Sequence, residues 1–154
     1  MKADAKIMKR LTEALAMELT AINQYLLHAH LLDDWGFTKL SAKMREEMAE
    51  EQGHADRLMQ RILFLGGKPD TGKLNKVDAA KSVRDMFESD LKDEKQAVRV
   101  YSQAAAECEA QQDHGSRQLF LSLIADEEGH VAWLEQQLDL MKRIGEPNYL
   151  QLQL

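Results

Sequence analysis

Glu51-Gln52-Gly53-His54 recurs 76 residues later as Glu127-Glu128-Gly129-His130. In each copy a carboxylate precedes an imidazole by three positions, which puts both on one face of a helix. Two further glutamates obey the same register. Glu18 and Glu94 are also 76 residues apart, and each precedes its Glu-x-x-His copy by 33. A single Glu-x-x-His arises easily by chance in a glutamate-rich chain, whereas one offset obeyed by six residues does not. The sequence therefore reads as two helical hairpins, each carrying Glu and then Glu-x-x-His. Four such helices can aim four carboxylates and two imidazoles at one point.

The bulk composition agrees with a helical reading. The chain has 154 residues, 44% hydrophobic and 30% charged, and only two prolines. Ala, Leu, Glu, Gln, Lys and Met dominate, all good helix formers. That length predicts a single domain, residues 1–154, with enough chain for a real core. A net charge of −6 argues against a nucleic-acid partner held through phosphates and suits attraction of cations. One cysteine, Cys108, excludes an internal disulfide framework, and its setting predicts a buried helix position. The first ten residues have no signal-peptide core, and no run approaches the roughly 18 apolar residues of a membrane helix. These features predict a cytoplasmic protein with no membrane partner.

Along the chain, apolar spacing predicts a first helix over 4–34 with Leu11, Leu15, Ile22, Tyr25, Leu26 and Ala29 inward. Glu18 interrupts that stripe. A second helix, 38–65, turns Leu40, Met44, Met48, Ala55, Leu58, Ile62 and Leu65 inward together with Glu51 and His54. Gly66, Gly67 and Pro69 stop it. Residues 66–82 form a connection long enough to cross the bundle, with 75–80 ambiguous. The third helix, 82–112, has Ser82 as its N-cap and Glu94 within its apolar face. The fourth spans 114–144, and Gly145 ends it. A last piece over 147–154, opened by proline, is too short to be stable alone.

The chemistry of the six residues follows from their types. Carboxylates a few ångströms apart cannot all ionise in an empty site. Two divalent cations balance four carboxylates, and hard oxygens with two imidazoles suit iron or manganese. Calcium takes oxygen alone, and structural zinc prefers cysteine. Paired Fe(II) ions with open positions would be oxidised by O2 or H2O2. Of the acidic run Glu46, Glu47, Glu50 and Glu51, helical phase turns only Glu51 inward. His28, His30 and His114 lack a partnering glutamate and read as structural or surface residues.

The stretches Glu18-Leu19-Thr20-Ala21-Ile22-Asn23-Gln24-Tyr25, Asp34-Trp35-Gly36, His54-Ala55-Asp56-Arg57, Asp126-Glu127-Glu128-Gly129-His130, Trp133-Leu134-Glu135 and Asn148-Tyr149-Leu150-Gln151 resemble the bacterioferritins over essentially the whole chain. The resemblance implies an all-α, ferritin-like four-helix bundle with one long crossover and a short fifth C-terminal helix. It implies iron storage and detoxification by a ferroxidase, with mineral held inside a cage of about two dozen subunits (a 24-mer). Glu18 and Glu94 would be terminal ligands, Glu51 and Glu127 bridging ligands, and His54 and His130 the nitrogen ligands of a di-iron cofactor. Tyr25 would stand beside the centre and Trp133 could supply an electron. Asn148 and Gln151 match residues lining a four-fold pore.

Three positions depart from the family. Its haem b is held by a methionine that falls at Gln52, and an amide is a poor haem ligand. Met48, one turn earlier, is the nearest thioether. An inner-surface iron site built from His and Asp has Glu46 and Glu50 here. The docking surface for a partner ferredoxin is matched by Pro69 and Asp85 but not by Lys68 or Lys81. These departures suit a haem-free subunit, working alone or mixed with a haem-binding one. Two rival readings are a mainly structural cage subunit and another di-metal, peroxide-consuming enzyme.

Overall fold

Asp4 opens the first helix by accepting a hydrogen bond from the Lys6 backbone N (2.8 Å), and α1 runs Ala5–Trp35. Gly36 ends it at φ 87, in the left-handed conformation that glycine adopts without strain. After Phe37 the chain turns straight back into α2, Thr38–Phe64. Ser82 caps α3, Val83–Ala110, by accepting from Asp85 N at 3.1 Å. Asp113 caps α4, His114–Ile144, through Ser116 N at 3.0 Å. Gly145 breaks the chain at φ 84, and α5 follows as Glu146–Gln151. The computed structural model describes residues 2–77 and 79–154; Met1, and Asp78 within the ambiguous 75–80 stretch, lie outside the described residues.

Short turns make α1 with α2, and α3 with α4, antiparallel hairpins that pack closely on each other. The two hairpins are joined by the long connection between Phe64 and Val83. Its course can be followed against α1. Gly67 lies against Met8, where an added Cβ would come within 2.6 Å of the Met8 methyl. Asn75 N donates to Thr20 Oγ1 at 2.9 Å, at the middle of α1. Ala80 packs on the cluster that contains Ala29 and Leu32, near the far end. The connection therefore travels the length of the bundle, and α3 starts where α2 also started.

The core divides in two. One cluster joins Ile7, Leu11 and Leu15 of α1 to Leu58, Ile62, Tyr101 and Phe120. The other joins Tyr25 and Leu32 to Met44, Phe87, Leu134 and Met141, and Tyr149 anchors α5 onto it. Cys108 is buried in the first cluster, as expected. Leu26, expected inside, is 39% exposed. A stripe with helical period drifts over 31 residues, so a straight-line reading assigns one side chain too many to the inner face. His28 is fully buried, while His30 and His114 are exposed.

Candidate metal centre

On each long helix the polar interruption falls between the two apolar clusters. Glu18 separates Leu15 from Tyr25, Glu51 and His54 separate Met44 from Leu58, Glu94 separates Phe87 from Tyr101, and Glu127 and His130 separate Leu123 from Leu134. The six side chains converge in one layer, each no more than 5% exposed. His54 Nδ1 lies 2.9 Å from Glu127 Oε1, 3.5 Å from Glu18 Oε2 and 3.6 Å from Glu51 Oε1. His130 Nδ1 lies 3.3 Å from Glu51 Oε1, 3.4 Å from Glu94 Oε1 and 3.6 Å from Glu127 Oε2.

Two overlapping quartets result: Glu18, Glu51, His54 and Glu127, and Glu51, Glu94, Glu127 and His130. Within each, one ligand atom per residue lies within 4.8 Å of all the others. Glu51 and Glu127 belong to both. That sharing is what a two-ion centre needs of bridging carboxylates.

The layer is poorly satisfied as protein alone. Glu18 Oε2, Glu51 Oε1, Glu94 Oε2, Glu127 Oε1 and His54 Nδ1 are buried without a hydrogen-bond partner. Close approach does not cure this, because the His54–Glu127 contact is out of line for a hydrogen bond. Buried polar groups are seldom left so, and each costs about 1–3 kcal/mol. Cations placed among them would satisfy all five atoms. The residues fit a metal site.

Protons take part of that role when no cation is bound. Burial, with Glu18 close by, pushes Glu51 well above the usual carboxylate range. Burial and the neighbouring Glu127 do the same to Glu94. Burial alone would lower His54, but the close carboxylates of Glu127 and Glu18 outweigh it and carry the imidazole up to about 10. His130 is raised likewise, against burial, by Glu127, Glu47 and Glu94. At neutral pH the metal-free layer therefore holds protons that a cation must displace.

Two tyrosines brace the layer. Tyr25 Oη donates to Glu94 Oε1 at 2.5 Å, and Tyr101 Oη donates to Glu18 Oε1 at 2.6 Å. Tyr101 stands 76 positions after Tyr25, the same offset as the ligands. Burial, then the adjacent carboxylates, raises both phenols well above their ordinary value, so both stay protonated donors. Trp133 meets Phe87 edge-on at 5.5 Å and carries Lys43 over its ring at 5.2 Å.

Behind the imidazoles lies a second set of carboxylates. His54 Nε2 is 2.9 Å from Asp126 Oδ2, and His130 Nε2 is 2.5 Å from Glu47 Oε2 and 2.8 Å from Glu50 Oε2. A carboxylate on the outer nitrogen orients an imidazole and leaves Nδ1 free for a metal. Glu50 and Asp126 are again 76 apart, a signal that could have found them. Glu47 is 4% exposed, although helical phase assigned it to the solvated face. Lys43 Nζ, 2.8 Å from its Oε1, and His130 make that burial tolerable. Among the described residues Glu46 joins no such cluster; it lies out in solvent, 4.0 Å from Lys43.

Comparison with known proteins follows the geometry. Residues 8–144 match the ferritin family, described as the ferritin-like domain. The chain is 46% identical over 152 residues to bacterioferritin of Brucella melitensis, covering 99% of this chain and 94% of that one. It is also 46% identical to bacterioferritin of Rhodobacter capsulatus, over 94% of this chain and 90% of the relative. The chain belongs to the bacterioferritin family. A crystal structure of the Rhodobacter capsulatus bacterioferritin, with a metal-free dinuclear site and haem iron, superposes with a TM-score of 0.97 at 44% identity, covering 99% of this chain and 96% of that one. The all-α fold, long crossover and fifth helix expected from the sequence are thereby established.

Haem does not fit the residues of this family member. Gln52 is exposed on α2, and an amide is not among the side chains that hold haem iron. Met48 is half-buried and packs against the second core cluster, so its thioether is engaged in packing. Asn148 and Gln151 are both exposed on α5, where Asn148 Nδ2 donates to the Ile144 carbonyl at 2.7 Å. Among the described residues, no helix is long and apolar enough to cross a membrane.

Proposed function

We propose that this chain is an iron-storage ferroxidase. The observation that carries the reading is the pair of quartets sharing Glu51 and Glu127, with buried oxygens and a buried nitrogen left unpartnered. Glu18 and Glu94 would act as terminal ligands, Glu51 and Glu127 as bridges, and His54 and His130 as nitrogen ligands through Nδ1. Iron there supplies its one-electron Fe(II)/Fe(III) couple, so two ions together deliver two electrons to O2 or H2O2. Four carboxylates balance two divalent cations, and the outer carboxylates Asp126, Glu47 and Glu50 keep the imidazoles aligned. Tyr25, hydrogen-bonded to Glu94, would stand beside the centre, and Trp133 could supply an electron.

The product would collect inside a cage of about two dozen subunits in the cytoplasm, with Asn148 and Gln151 lining its four-fold pore. The names of the relatives support iron as the metal. Gln52 supports a second feature, a haem-free subunit that either forms the cage alone or shares it with a haem-binding subunit. Storage is tested by adding Fe(II) aerobically in small portions and separating by size. The iron is expected to travel with an assembly of cage size, many ions per chain. Iron left as free hydroxide, or bound only at two per chain on a small oligomer, would exclude storage and leave a peroxide-consuming di-metal enzyme.

A further inference from the structure

The two phenols beside the metal layer obey the repeat, and they cross it. Tyr25 stands seven residues after Glu18 on α1, and Tyr101 seven after Glu94 on α3. Seven residues are about two helical turns, so each ring shares a face with the glutamate of its own helix. Neither bonds to that glutamate. Tyr25 reaches across to Glu94 and Tyr101 across to Glu18, in each case to Oε1. The remaining oxygens, Glu94 Oε2 and Glu18 Oε2, are buried without a hydrogen-bond partner.

The choice of acceptor is selective. Of the four buried carboxylates in the layer, the phenols bond only the two that belong to a single quartet. The shared pair is left alone, and a bridge needs both its oxygens. Glu127 turns Oε1 to His54 at 2.9 Å and Oε2 to His130 at 3.6 Å, one oxygen towards each imidazole. A carboxylate that serves one ion needs only one oxygen. Glu18 shows that division fully: Tyr101 holds Oε1 at 2.6 Å, and Oε2 faces His54 Nδ1 at 3.5 Å. At Glu94 the bonded oxygen is also the one 3.4 Å from His130 Nδ1, so the division is complete only on the Tyr101 side. The Tyr101 ring is fully buried against Phe120, centroids 5.9 Å apart, in an apolar cluster that a phenylalanine would fill as well. Packing therefore does not require the hydroxyl, whose partner is Glu18.

We infer that Tyr101 is a positioning residue that makes Glu18 a one-oxygen ligand. By occupying Oε1 it presents Oε2 alone to the ion position of the Glu18–His54 quartet. That position then offers four protein atoms, one each from Glu18, Glu51, His54 and Glu127, and leaves the rest of the coordination sphere open. Without the hydroxyl, Glu18 is free to turn both oxygens inward and fill part of that opening. The inference rests on the di-metal reading of the six-residue layer, and the test separates the two.

The probe is Co(II), which is redox-inert here and whose visible absorbance weakens as its coordination number rises. The intact metal-free assembly is titrated with Co(II), wild type beside Tyr101→Phe. Both are expected to bind about two ions per chain. At saturation the variant should lose up to about half of the wild-type absorbance, the share of one ion in two, because coordination geometry sets the spectrum. Phenylalanine keeps the ring and its contact with Phe120, so the fold is retained, and thermal unfolding of the metal-free variant checks this. A wild-type spectrum in Tyr101→Phe would overturn the assignment, whether or not the melting temperature moves. Outright loss of one ion, with the spectrum of the other unchanged, would overturn it too, since the hydroxyl would then be needed for binding itself. If wild type binds no Co(II) at the layer, the di-metal reading fails and takes the role of Tyr101 with it.

Discussion

Replacing Glu94 with alanine is expected to slow rapid Fe(II) oxidation at least about 100-fold, since loss of an outer carboxylate alone costs 10–100-fold at metal sites. The residue supplies one quartet with a terminal carboxylate and reaches the other only through Glu51 and Glu127. Its loss should lower Fe(II) stoichiometry towards one ion per chain. Stability should move little, because two effects oppose. Removing Glu94 relieves a buried acid pressed against Glu127, an acid that burial first and that crowding second already drive to hold its proton. It also strips Tyr25 Oη of the acceptor it reaches at 2.5 Å, a penalty of about 1–3 kcal/mol. Stopped-flow absorbance and thermal unfolding of the metal-free protein read the two consequences separately. A rapid phase at the wild-type rate would sink the ligand assignment.

Phe87→Ala should produce the largest loss of stability, about 3–5 kcal/mol. Phe87 is fully buried in the second core cluster. It meets Trp133 at 5.5 Å and Tyr149 at 6.4 Å, both edge-on, so one ring joins α3, α4 and α5. The six-residue α5 cannot hold itself together and depends on Tyr149, whose Oη donates to Gln137 at 2.7 Å. At about 2–4 °C per kcal/mol for a chain of this size, the melting temperature should fall by roughly 6–20 °C. Hydrogen exchange over 146–151 should accelerate before the rest of the molecule opens. A fall of under about 2 °C would show that the three helices do not depend on this ring.

Much of this was legible because the chain repeats itself. One offset located four glutamates and two histidines on facing helices, and helical spacing located the apolar rows on either side. The same offset also linked Tyr25 to Tyr101 and Glu50 to Asp126, but a tyrosine or an exposed acid on a helix is ambiguous until its neighbour across the bundle is known. Glu47 is the clearest failure of local reading. Its phase placed it in solvent, and only Lys43 and His130 together account for its burial. The crossover was expected from the length of 66–82, but its path was not, because that path follows contacts with Met8 and Thr20 rather than any pattern within the connection.

The most direct test of the central claim is a titration of the metal-free protein with Fe(II) under limiting O2 or H2O2, following di-ferric absorbance. The shared-carboxylate layer predicts a sharp break near two irons per chain, followed by slower growth of mineral. A curve without a break, rising no faster than iron oxidises in buffer, would contradict it and leave the chain as a shell subunit in need of an active partner.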